Sequence, residues 1–207
     1  MKRDMISIET PEGIKLKVPA HVVASTFIAA ALAQVGVVQQ QPTALSAQAP
    51  AAADGTPAVG DYWPGHGGYN GGFVPARDGI PAHYLIIAAE DTGSHEWGGR
   101  GKESGATSKC DGLANTKTML AEGGHPAAIA CAEYRADGHD DFYLPAAAEL
   151  YHCWLHIPTL LSKDCWYWSS TQRSASYAFG MYFGAGYQDG NVKLFELRVR
   201  PVRRFLI

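Results

Sequence analysis

Asp140-Asp141-Phe142-Tyr143-Leu144-Pro145, followed by Glu149-Leu150, is the stretch on which the fold reading turns. Two more blocks follow it in order. Tyr167-Trp168-Ser169-Ser170-Thr171 comes first, and Arg198-Val199-Arg200-Pro201-Val202-Arg203-Arg204 ends the series. Aromatics, turn-formers and small hydroxyl residues interleave here at spacings too short for long helices, as in a compact, tryptophan-rich, loop-heavy domain. Trp168 and the Leu144-Pro145 corner read as core pins, because a tryptophan buries about 150–250 Å². Arg198, Arg200 and Arg203 alternate, and pairing with local carboxylates or backbone is expected of them.

Working outward, the rest of the chain falls into three parts. Residues 1–36 read as a small element: Ile6-Ser7-Ile8-Glu9-Thr10 and Ile14-Lys15-Leu16-Lys17-Val18 alternate apolar and polar around Pro11-Glu12-Gly13, a β-hairpin pattern. His21 to Gln34 then reads as an alanine-rich helix, and so small a unit needs something to dock on. Residues 37–57 are rich in Ala, Pro and Gln and read as a linker, or as an arm that orders against a partner. Residues 58–207 form the main domain. In it Tyr84 to Ala88 is a buried strand, and Gly93 to Asp111 is a glycine- and serine-rich loop. Helices are expected over Leu113–Ala121, Pro126–Tyr134 (with Ile129 and Cys131 toward the core) and Pro145–Leu155. Strands are expected over Tyr167–Ser170, Ala178–Phe183, Lys193–Leu197 and Val199–Val202.

Composition narrows the function. A hydrophobic share of 46% with 18% charged residues is globular. A net charge of −3 gives no footing for nucleic acid. Twenty-three glycines and twelve prolines announce many turns. The most apolar stretch, Val22 to Ala33, reaches about 18 Å as a helix and is too short to cross a bilayer. Asp4, Glu9 and Glu12 interrupt any signal-peptide pattern. The expectation is a protein made in the cytoplasm without membrane insertion. Cys110, Cys131, Cys153 and Cys165 allow two disulfides or free, mostly buried thiols, and no Cys-x-x-Cys spacing marks a metal site.

Candidate chemistry is sparse. Ser169-Ser170-Thr171 lacks a nucleophile elbow, so no catalytic residue is assigned. His152 and His156 lie four apart on one helix face, but no glutamate follows the first and no third ligand is in view. Asp137, Asp140 and Asp141 lack the motifs of calcium-dependent sugar binding, so neither a metal nor a cofactor is expected. The better reading is a binding surface made of Tyr177, Tyr182, Tyr187, Gln188, Asp189 and Asn191 among Gly184, Gly186 and Gly190. Tyrosines on permissive backbone suit adaptable recognition. The alternative is a plain hairpin whose turn is Gln188-Asp189-Gly190-Asn191. The Trp63 to Phe73 loop is a second candidate with the same rivalry.

The residues also carry a family resemblance. The helix with Cys131, the Gly138 to Pro145 block with Glu149-Leu150, Tyr167 to Thr171, Phe183-x-x-Gly186 and the closing Arg198 to Arg203 together resemble the Lcl C-terminal domain family. That family occurs at the ends of bacterial collagen-like adhesins and in phage and prophage proteins. The resemblance runs from about Tyr62 to Phe205 and leaves everything before residue 58 uncovered. It departs where the family has Trp-Arg before Leu-Pro and this chain has Phe142-Tyr143, which keeps an aromatic but loses the arginine and any local salt bridge it would make. The resemblance implies an α+β, C-type-lectin-like fold, with helices packed on a small twisted antiparallel sheet with long loops. It also implies a non-enzymatic virion component (tail, baseplate or capsid-associated) that attaches to a host-surface glycan or protein. Residues 1–36 would join other virion proteins, in a homo-oligomer, by analogy a trimer. The alternatives are a purely structural decoration protein and an enzyme of the formylglycine-generating type.

Overall fold

The structure, a computed structural model, describes residues 55–207 together with strands β1 (Met5–Glu9) and β2 (Lys15–Pro19). The chain divides into two units, Met1–Ser46 and Ala47–Ile207. In the first, β1 and β2 pair antiparallel from Met5↔Pro19 to Glu9↔Lys15, so the alternating segments form the expected hairpin. The helix expected over 21–34 and the linker up to residue 54 lie outside the described residues.

The second unit is α+β. Its strands are β3 (Tyr62–Trp63), β4 (Gly68–Val74), β5 (His83–Ala88), β6 (Ser94–Glu96), β7 (Trp166–Gln172), β8 (Tyr177–Tyr182), β9 (Tyr187–Val192), β10 (Glu196–Arg198) and β11 (Val202–Leu206). Three helices are described: α1 (Gly112–Glu122), α2 (Pro126–Glu133) and α3 (Ala147–His156). One sheet has the order β11-β5-β4-β3 and the other β6-β10-β7-β8-β9. All pairings are antiparallel except a single parallel contact, Arg198↔Tyr167, between β10 and β7. Two sheets replace the single one expected, and four strands precede the helices.

The strands missed by sequence lie where glycine interrupts the period-two signal. Tyr62 to Phe73 reads as a loop, yet β4 runs through it, because its glycines are sites of close backbone approach. A Cβ on Gly68 would sit 2.1 Å from Ile87 O, and one on Gly71 would sit 2.3 Å from Ile87 Cδ1. A bulge between Asn70 and Phe73 is closed by Gly72 N–H donating to Asn70 Oδ1 at 2.9 Å.

The helices sit where their end signals place them. Asp111 caps α1 by accepting from Ala114 N–H at 3.1 Å, and Gly123 ends it at φ 75°. Pro126 opens α2. Only Cys131 of the expected pair faces inward there, while Ile129 is exposed, since residues two apart on a helix point about 200° apart. Helix α3 starts two residues later than expected. Ala146 has no oxygen to cap it, and Thr171 Oγ1 takes the Ala147 N–H at 3.1 Å instead.

The interior has two main parts. Leu85, Ile87, Leu150, Cys153, Tyr167, Met181 and Val202 pack on one side of β7–β8. Trp97, Met119, Cys131, Leu144, Trp168 and Val199 pack on the other. Trp168 and Leu144 are fully buried and Pro145 is buried as well, as core pins should be. All four cysteines are free thiols, with Cys131 and Cys153 buried. Lys193 is not in a strand. It precedes β10, with Nζ over the Trp97 ring at 4.5 Å and donating to Gln172 Oε1 at 2.6 Å. Among the described residues no helix is long and apolar enough to cross a membrane.

Candidate functional site

The β8–β9 hairpin turns at Phe183–Gly186, not at Gln188–Asn191. Gly186 supplies the left-handed residue at φ 72°, and its N–H donates to Tyr182 O at 2.9 Å. Its bare Cα lies against Trp154, whose indole N–H donates to Phe183 O at 3.1 Å. With the turn fixed there, Asp189-Gly190 falls in mid-strand opposite Gly180 and Phe179.

This register separates the six residues expected to bind. Tyr182 lies directly opposite Tyr187, and period two puts Asp189 and Asn191 on the same face as both. Tyr177 and Gln188 belong to the other face. Gln188 Nε2 donates to Ala147 O at 2.5 Å, a tie to α3 rather than a free amide. Asp189 pairs with Arg173 and accepts from Gly190 N–H at 2.7 Å. The backbone donor first, and Arg173 after it, hold the Asp189 carboxyl below the ordinary value. Asn191 Nδ2 reaches Asp189 O at 3.4 Å.

What the register brings together is a row. Trp166 opposes Tyr182 on one side, as Tyr187 does on the other, so three aromatic residues occupy one rung of β7, β8 and β9. The Trp166 and Tyr182 ring centroids are 5.8 Å apart. Trp166 and Tyr182 are half-buried, and Tyr187, on the edge strand, is 66% exposed. The next rung is Trp168, Gly180 and Asp189, where glycine leaves no side chain beside the tyrosines. Trp166 is the residue that sequence reading missed. Its spacing from Trp168 signals a shared face, but its partners follow only from the register.

The other candidates are occupied by the fold. The Trp63 to Phe73 segment is clasped by Asp137, which accepts from Tyr62 OH, Gly65 N–H and Gly67 N–H at 2.9–3.1 Å. The His152 and His156 rings are 4.3 Å apart, but His152 Nε2 donates to Gly71 O at 2.9 Å. Burial first, then His156, pushes His152 down to about 4. Among the described residues no group of three or more His, Cys, Asp or Glu is placed to hold a metal. Ser169 Oγ donates to Phe179 O at 2.7 Å, Thr171 Oγ1 to Ser108 O at 2.8 Å, and Ser170 Oγ accepts from Asn115 at 3.1 Å.

The arginines are likewise engaged. Asp91, which sequence reading did not single out, takes Arg198 at 2.9 Å and Arg200 at 2.5 Å, while Arg203 forks onto Asp141. Buried Glu149 accepts from Tyr143 OH (2.7 Å), Arg204 Nη2 (2.8 Å), Ala146 N–H (2.7 Å) and Gly112 N–H (3.2 Å). Burial raises the Glu149 carboxyl above its ordinary value, and Arg204 opposes the rise. Compared with known protein families and with curated proteins, the chain matches none.

Proposed function

We propose that this chain is a non-enzymatic component of a phage or prophage virion whose residues 58–207 form a C-type-lectin-like domain displayed to a host-surface glycan. The row Trp166–Tyr182–Tyr187 carries this reading. Aromatic side chains left at a surface present large, rigid contact area at small entropic cost, and neighbouring strands only about 4.8 Å apart merge three of them into one platform. Stacking of sugar C–H groups on the ring faces is the contact such a platform makes, with Asp189 and Asn191 beside it for hydroxyl groups. Residues 1–36 serve as the attachment to other virion proteins, in a homotrimer by analogy with the resembled family.

The test is retention of the full chain on immobilised bacterial surface polysaccharides, with particles from induced lysogens assayed in parallel for the chain. Retention that falls about ten-fold or more in Tyr187→Ala supports the reading, at about 1.4 kcal/mol per factor of ten. Presence in particles without retention on any polysaccharide would instead make the chain a structural decoration.

A further inference from the structure

A second site lies on the opposite side of α3 from the hairpin turn. Val74, Ile80, Arg77, His83, Cys110 and His152 are among the residues that enclose a cavity of about 130 Å³. At ~30 Å³ per water, that is room for about four waters. Arg77 is brought there by a tight turn, Arg77-Asp78-Gly79-Ile80, with φ 51° at Asp78 and φ 79° at Gly79. Its guanidinium Nη2 lies against Cys110 Sγ. Cys110 immediately precedes the Asp111 cap of α1 and is only half-buried.

The wall also holds an unmatched acceptor. His83 is 1% exposed, and its Nδ1 sits 2.8 Å from Pro81 O, so Nδ1 carries the hydrogen and Nε2 the lone pair. That Nε2 is buried and has no partner among the described residues. Burial lowers the His83 value, in keeping with a neutral ring. The other wall groups are already bonded: His152 to Gly71 O, and Glu149 to its four donors. The cavity thus offers a cationic donor, an empty lone pair and a thiol. A ligand suited to all three is very small, donates one hydrogen bond, accepts another, and is electrophilic.

We propose that this cavity admits hydrogen peroxide and that Cys110 is a peroxide-reactive thiol, oxidised stoichiometrically to the sulfenic acid. One peroxide O–H donates to His83 Nε2, and Arg77 stabilises the negative charge on sulfur as it attacks. The Sγ–O bond forms as the O–O bond breaks. Sulfur is oxidised by two electrons, and the leaving oxygen takes the thiol's proton and departs as water.

The experiment exposes the full chain to hydrogen peroxide, traps sulfenic acid with dimedone, and quantifies each cysteine peptide by mass spectrometry. Cys165 is also half-buried and serves as the internal control. Cys110 is expected to be trapped about ten-fold faster than Cys165, and Arg77→Ala to bring it down to the control rate. Arg77 is an exposed turn residue whose backbone bonds to Ile80 do not need its side chain, so this variant folds. Equal rates at Cys110 and Cys165, or an unchanged Cys110 rate in Arg77→Ala, would overturn the proposal.

Discussion

The Glu149 knot and the Trp166–Tyr182–Tyr187 row belong to the same unit and have opposite characters. Glu149 is buried, charged and saturated, with four donors drawn from α1, the segment before α3, and β11. The row is aromatic, runs inward from the sheet edge to the central strand, and its outer member meets mostly solvent. A buried carboxylate is tolerable only if every lone pair is answered, so its neighbours are bound to it and to the fold. An exposed ring on an edge strand carries no such obligation. The contrast separates residues that hold the domain from residues free to contact something else.

The largest effect is expected at Glu149. Glu149→Ala leaves the Arg204 guanidinium, itself largely buried, without this acceptor, and leaves the Ala146 and Gly112 amides unanswered. Breaking a buried pair by removing one partner costs about 3–5 kcal/mol, read as a lower urea midpoint. A loss under about 1 kcal/mol would place the knot with ordinary surface pairs and dissolve the contrast.

Next comes acid sensitivity at His152. Its folded value of about 4 lies below the ordinary 6.5, so the unfolded chain takes up the proton first. Its contribution is therefore complete above pH 6.5 and is lost as the pH falls toward about 4. The shift sets the loss at about 3 kcal/mol. His152→Gln keeps a donor for Gly71 O and removes the titration. The difference between its stability-versus-pH curve and the wild type's should be steepest in that window. Parallel curves there would show that the ring is not held neutral by burial.

How much of this was legible in sequence is shown best by the Asp-Gly pairs. Asp78-Gly79 and Asp137-Gly138 form tight turns with positive φ at both residues, closed by the bridges Arg77↔Ile80 and Ala136↔His139. Asp111-Gly112 starts α1, with aspartate as the cap and glycine where a Cβ would meet Glu149 Oε2 at 2.4 Å. Asp189-Gly190, the pair read as a turn, is the one in a strand. The local signal is the same in these four of the chain's five Asp-Gly pairs, and tertiary neighbours decide among the outcomes. Helices and core pins were legible because periodicity and end signals are local. The aromatic row was not, because it depends on which of two nearby glycine-rich segments makes the turn.

That dependence can be probed directly. Gly186→Ala imposes a side chain at φ 72° and 2.6 Å from the Trp154 ring. The strain and overlap are expected to cost about 1–3 kcal/mol, seen as a lower melting temperature, and to weaken glycan retention along with it. A variant as stable as wild type would mean that the turn yields easily and does not fix the register of the row.

The smallest effect on stability is expected at Tyr187. Its ring is 66% exposed at the end of an edge strand. No side-chain hydrogen bond ties it down, among the described residues, in the way Gln188 is tied to α3. Truncation to alanine should move the unfolding free energy by no more than about 0.5 kcal/mol, the range of ordinary surface changes. The same substitution is the one expected to lower retention on polysaccharide about ten-fold or more, so a near-zero value is informative: it assigns the ring to contact outside the chain. A cost above about 1 kcal/mol would mean that Tyr187 supports Tyr182 and Trp166 as cross-strand packing. The row would then stand beside the Glu149 knot as part of the scaffold, and the glycan platform would have to be sought on another surface.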